Sequence, residues 1–225
     1  LWIEKFSWKN IDVIISVSNS ILEWYSCHLG VKESVLILNS PMFENKQTAH
    51  GDYFRKKFLI PIDKKIFLYL GIINRRGRAI DIYLDVFMGY GEYSSEIENV
   101  AREFPNIHYH PAVPHEEVVA ISKSADVGLC VIEKVSLSDY FCLPNKLFEY
   151  AFAGLPVLAS NFPDISKVVR KYRLGKCCDV DAESVANSII EFENENCKTP
   201  IADLTELSWQ TQQRKLIRVY NGLLN

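Results

Sequence analysis

Long hydrophobic runs are missing from this sequence. No apolar stretch approaches the roughly 18 uninterrupted residues of a membrane-spanning helix, and the opening "LWIEKFSWKN" lacks the charged-then-apolar order of a secretion signal. The six cysteines include no C-x-x-C pair, and adjacent Cys177 and Cys178 could hardly bridge to each other, which excludes a disulfide or zinc framework. These absences lead us to expect a soluble, cytoplasmic protein with reduced thiols, leaving open a peripheral contact with the inner face of a membrane. An excess of one charge is missing too: 25 basic residues against 28 acidic ones give a net charge of -3, with no global field to attract nucleic acid. Repeats and low-complexity tracts are absent. The chain opens on Leu1 rather than methionine, so we expect a fragment of a longer protein.

What is present is ample material for a core, with 48% hydrophobic and 12% aromatic residues. Short β-branched runs alternate with amphipathic stretches, the pattern of an α/β fold with a doubly wound, Rossmann-like parallel sheet. The runs at 12–18, 35–39, 65–72, 106–110, 126–132, 155–160 and 175–180 read as strands, near-continuously apolar as strands buried on both faces must be. Helical patterns cover 79–90, 115–124 and 182–195, and the last stretch, with Leu207, Leu216, Tyr220 and Leu223 on one side, predicts a helix lying across another surface. The polar segment 41–57 reads as a linker. It separates residues 1–40, too few to own a core, from a domain over 58–225.

In open parallel sheets, ligands bind beyond the carboxyl ends of the strands, and three loops there carry chemistry. The turn "INRRGRAI" (73–80) gathers Arg75, Arg76 and Arg78 around Gly77, either a phosphate site built from guanidinium and free N–H groups or a solvated basic turn. The turn "PAVPHEE" (111–117) is stiffened by two prolines, so that a planar base could rest against its main chain. His108 and His110 share a strand face, but two ligands without a third make a weak metal site. The third loop, 133–143, ends at Pro144 at the first position of a helix presenting Lys146 and Glu149 one turn apart. They are either a surface ion pair or two charges facing a cleft, where sugar hydroxyls would donate to the carboxylate.

The stretch "LPNKLFEYAFAGLPVLAS" (143–160) resembles the signature region of the group-1 family of retaining GT-B glycosyltransferases, with Glu149, Ala153, Gly154, Pro156 and Val157 in place. "DVIISVSNSILEWYSCHLGVKESVLILNSP" is similar to the last β-α-β unit of that family's N-terminal domain. "LYLGIINRRGRAIDIYLDVF", "NIHYHPAV", "SADVGLCVI" and the final "LSWQTQQRKLIRVYNGLL" resemble parts of its C-terminal, donor-binding domain. The resemblance implies a hexosyltransferase of surface polysaccharide or glycolipid synthesis, with a nucleotide-diphosphate sugar as donor substrate, an unknown acceptor, and neither cofactor nor metal. By the same resemblance Glu149 would take the ribose hydroxyls. Arg78, aligned when Phe87 is matched to a helix end, would hold the diphosphate together with Arg76, and Lys146 would lie near the phosphates or the sugar, with Asn145 beside it. Pro111 to Val113 would meet the base, and Gly71 would allow a close backbone approach.

Three departures stand out. The family's first glutamate, eight positions before the second, is Phe141 here, and its arginine after the strand-end glycine is Ile72. The N-terminal acceptor-side domain, with the catalytic residues it would hold, is expected from elsewhere in the protein or from a partner subunit. A GT-B sugar-nucleotide epimerase and a non-catalytic nucleotide-binding module docking on a partner are the alternative readings.

Overall fold

A computed structural model describes residues 2–42, 51–74, 86–195 and 203–224. The chain begins with a short helix α1 (Trp2–Ser7), followed by strand β1 (Val13–Ser16), helix α2 (Asn19–Leu29) and strand β2 (Glu33–Leu36). The two strands pair in parallel as a sheet of their own. They are not buried on both faces as expected: Ile15 is 43% exposed, because a two-stranded sheet covered by one helix leaves its other face bare.

At the end of the stretch read as a linker, and running one residue past it, Tyr53–Phe58 form helix α3. Its Phe54 is fully buried, Phe58 stacks on His108 with 4.8 Å between ring centroids, and the Tyr53 hydroxyl lies 2.7 Å from His110 Nε2. His108 and His110 therefore hold a helix against the sheet.

The main sheet contains six parallel strands, β3 (Phe67–Ile72), β4 (Val86–Tyr90), β5 (His108–Pro111), β6 (Val127–Cys130), β7 (Val157–Ser160) and β8 (Gly175–Cys178), in the spatial order β5-β4-β3-β6-β7-β8. This is the doubly wound order, whose sequence reverses between β3 and β6. Helices α4 (Ser94–Glu103), α5 (His115–Ser122), α6 (Leu137–Tyr140), α7 (Asn145–Ala153) and α8 (Pro163–Tyr172) lie between the strands, and α9 (Ala182–Asn194) follows β8. One core layer gathers Leu68, Leu70, Met88, Leu147, Tyr150 and Ile165. The opposite layer gathers Phe67, Tyr69, Phe87, Leu129 and Phe192.

Strand β4 corrects the helical reading over 86–90. Val86, Phe87 and Met88 are all at least 97% buried, and three consecutive buried side chains suit a strand covered on both faces. A short apolar run cannot be told from a helix segment by periodicity alone. The match of Phe87 to a helix end, which carried the alignment of Arg78, falls with it. Arg75, Arg76, Arg78 and the rest of 79–85 lie outside the described residues.

The last helix, α10 (Trp209–Leu224), packs at its start, where Gln212 Oε1 accepts from the Leu38 N–H at 3.1 Å and the Trp209 N–H donates to Pro41. Its later turns do not lie across a surface among the described residues: Tyr220 is 56% and Leu223 49% exposed. The front unit also meets the main sheet through Asp164 in the first turn of α8, which accepts from the Ser20 N–H of α2 at 3.2 Å.

Candidate functional site

The site begins where two strands part. β3 and β6 are in register only from Phe67 and Val127 to Tyr69 and Leu129, after which β3 continues to Ile72 beside β4. The divergence falls at the reversal of strand order, where doubly wound sheets open a crevice beyond their carboxyl ends. Tyr150 of α7 fills the gap. Its ring lies so close to Gly128 that a Cβ there would fall 2.3 Å from ring Cγ. Its hydroxyl accepts from the Leu70 N–H at 2.8 Å and donates to the Leu68 carbonyl at 2.7 Å, with the Leu129 carbonyl at 3.3 Å. One phenol thus satisfies backbone groups where the ladder ends, which a buried sheet requires.

Helix α7 starts at the mouth of this crevice. Pro144 caps it in an extended conformation rather than occupying its first turn, and Asn145 is exposed. From Lys146 to Ala151 every residue is buried, so α7 enters protein on all sides and the solvated surface pair is excluded. Lys146 and Glu149 are only 7% and 8% exposed.

Burial raises the pKa of the Glu149 carboxyl above its ordinary 4.5, and the charges of His115 and Lys146 pull it back down. The His115 Nδ1 lies 3.8 Å from Glu149 Oε1. His115 opens α5, directly after the turn at 111–114, and its side chain is 69% exposed. Sequence reasoning missed it as a site residue, although its place in that proline-stiffened turn was the available signal.

The Lys146 ammonium lies 3.7 Å from the centroid of the Tyr69 ring. Its Cε is 3.9 Å from where a Gly71 Cβ would stand, and Gly71 itself has φ +116, a conformation few other residues adopt. Glu149, Lys146 and Gly71 thus gather at one crevice, with Asn145 at its rim.

Pro111 ends β5, exposed, and Val113 is half-buried against the α7 layer. The Pro111 carbonyl already accepts from His110 Nδ1–H at 2.6 Å, which leaves His110 Nε2 to accept from Tyr53, and burial lowers the His110 pKa. Among the described residues, no group of three His, Cys, Asp or Glu side chains could hold a metal ion. The five described cysteines are free thiols.

The strand order defines a Rossmann-like α/β domain with Glu149 and Lys146 gathered at its switch point. The chain belongs to the glycosyl transferases of group 1, whose family model matches residues 72–194. No curated protein matches its sequence. Among solved structures it is similar to the sucrose-phosphate synthase of Thermosynechococcus elongatus, at 19% identity over 99% of this chain and 61% of that one, with a TM-score of 0.75. It is also similar to a glycosyltransferase of Rickettsia africae (12% identity, 99% and 67% covered, TM-score 0.74). A third is HepE of Anabaena in complex with UDP (12% identity, 94% and 64% covered, TM-score 0.68). These GT-B neighbours share the fold, and the chain spans about six-tenths of the synthase's length.

Proposed function

We propose that this chain is the donor-binding half of a retaining glycosyltransferase that moves a hexose from a nucleoside diphosphate to an acceptor in surface polysaccharide or glycolipid synthesis. The observation that carries this reading is the burial of Glu149 and Lys146 together at the crevice between β3 and β6. A buried carboxylate needs hydrogen-bond donors, and a pair of ribose hydroxyls supplies them. A buried ammonium beside a strand-end glycine suits a diphosphate, which can approach the backbone where no Cβ intervenes. The first turn of α7 adds N–H groups and a partial positive charge toward a departing diphosphate.

Family membership and the UDP complex of HepE support the nucleotide as ligand. The backbone of Pro111 to Val113 would receive the base, and Arg76 and Arg78 remain proposed diphosphate contacts. Asn145, exposed at the helix start, would be a further contact. The reading calls for no resident cofactor or metal, since leaving-group charge is met by protein groups.

No helix among the described residues is long and apolar enough to cross a membrane. We place the reaction in the cytoplasm, with any membrane contact peripheral. The acceptor and the acceptor-side residues would come from the remainder of the protein or a partner subunit.

Titration calorimetry with UDP, GDP and ADP tests the reading. One of the three is expected to bind below millimolar concentration, with affinity lost in Glu149→Ala. Absence of binding by all three, or unchanged binding in that variant, overturns it.

A further inference from the structure

We infer that Tyr69 is a positioning residue for the anionic part of the ligand, acting through Lys146; this rests on the nucleotide-binding reading above. Lys146 belongs to α7, whose Leu147 and Tyr150 pack into the layer holding Leu68 and Leu70. Tyr69 belongs to the opposite layer, with Phe87 and Leu129. An ammonium 3.7 Å from the Tyr69 centroid has therefore been carried around the carboxyl edge of the sheet from one layer to the other.

Gly71 makes the path available. It shares a strand face with Tyr69, two residues earlier, and the Lys146 Cε stands 3.9 Å from the position its Cβ would take. The ring that receives the ammonium is fixed from two directions. Its hydroxyl donates to the Ile72 carbonyl at 2.8 Å, and its face tilts against Phe87 with 5.7 Å between centroids. Tyr69 is 1% exposed, so water competes little for the cation.

An aromatic face holds a cation through its quadrupole, and the difference from a carboxylate is chemical. The ring brings no net charge of its own; it fixes the position of the ammonium, whose charge is also felt by the Glu149 carboxyl one helical turn on. A lysine carries four rotatable methylenes, and restricting them before the ligand arrives lowers the entropy lost on binding. Tyr69 thus turns a flexible side chain into a preset phosphate donor, while contributing no contact to the nucleoside.

That division gives the test. UDP and uridine are titrated by calorimetry into wild type, Tyr69→Phe, Tyr69→Leu, Tyr69→Met, Lys146→Met and the double variant Tyr69→Leu/Lys146→Met. Tyr69→Phe keeps the ring face and should hold UDP affinity within about twofold, whereas Tyr69→Leu and Tyr69→Met should weaken UDP about tenfold, as expected for a desolvated cation–π contact. Uridine affinity should stay within about twofold throughout, and the double variant should be no worse than Lys146→Met alone, as for two groups acting as one. Equal losses for UDP and uridine would mark a merely structural role, and losses that multiply in the double variant would mark independent ones; either overturns the inference. UDP binding that falls with Glu149→Ala but ignores Tyr69→Leu overturns it while leaving the donor reading in place. If none of UDP, GDP and ADP binds wild type, the donor reading itself fails.

Discussion

The two edges of the main sheet treat charge in opposite ways. At the amino edge, charges are met within the chain. Asp126 accepts from the Ile66 N–H at 2.7 Å and pairs with Arg55 at 2.7 Å, and Arg55 also donates to the Pro61 and Lys64 carbonyls. Lys65 donates to the Phe192 carbonyl, and Lys176 reaches both Glu191 and Glu195 at 2.9 and 2.8 Å. At the carboxyl edge, Glu149 faces an imidazole at 3.8 Å and Lys146 lies on an aromatic ring. The first edge uses charge to close the fold, and the second holds the charges that the proposed nucleotide would meet. Burying Glu149 in this way costs stability, a cost that functional sites commonly carry.

The largest effect expected from breaking this contrast is at Glu149. Glu149→Ala should weaken the nucleotide by about 10- to 100-fold in calorimetry, since charge-assisted hydrogen bonds contribute about 1.5–3 kcal/mol. A weakening under threefold would remove Glu149 from the ligand.

Asp126→Ala should do the reverse, destabilising the fold by about 2 kcal/mol in urea unfolding because the Ile66 N–H loses its acceptor. Nucleotide affinity should stay unchanged; a loss there would mean that the two edges are not separate.

A third distinction lies in pH. The Glu149 carboxyl has its folded pKa raised above 4.5, so the folded state holds this proton more tightly than the unfolded chain. Its contribution to stability is present below 4.5 and is lost as pH rises through the raised folded value. Glu149→Gln should flatten that part of the stability profile and leave the protein more stable at neutral pH. A wild-type profile that the substitution leaves unaltered speaks against burial of the carboxylate.

The smallest effect belongs to Lys176→Ala. Its partners Glu191 and Glu195 are largely exposed, so a change of only about 0.5 kcal/mol in unfolding free energy is expected.

Much of the sheet was legible because strands buried on both faces leave uniform apolar runs, and β3, β6, β7 and β8 lie inside the stretches read as strands. β4 was not, since "VFMGY" continues an apolar pattern from the preceding residues and only pairing with β3 and β5 declares it a strand. The β1–β2 sheet and the end of α10 show the limit of such patterns: Ile15, Tyr220 and Leu223 are exposed among the described residues, and an apolar pattern tells which side chains could be covered, not by what.

Of the proposed site, Glu149, Lys146 and Gly71 could be read from the signature stretch and the strand end. His115 was missed despite the signal of its turn, and Tyr69 gave no signal. His115 comes from the helix after β5, and Tyr69 looks like any core aromatic of a central strand.

By itself, the sequence determined the α/β class, the family and the helix that bears Lys146 and Glu149, because periodicity and local motifs are properties of neighbouring residues. Only the tertiary structure decided that both charges are buried, that an imidazole stands beside one and a phenol ring beneath the other. Those meetings join residues about 34 and 77 positions apart, and such distances are bridged by strand order and helix crossover, which no local pattern records.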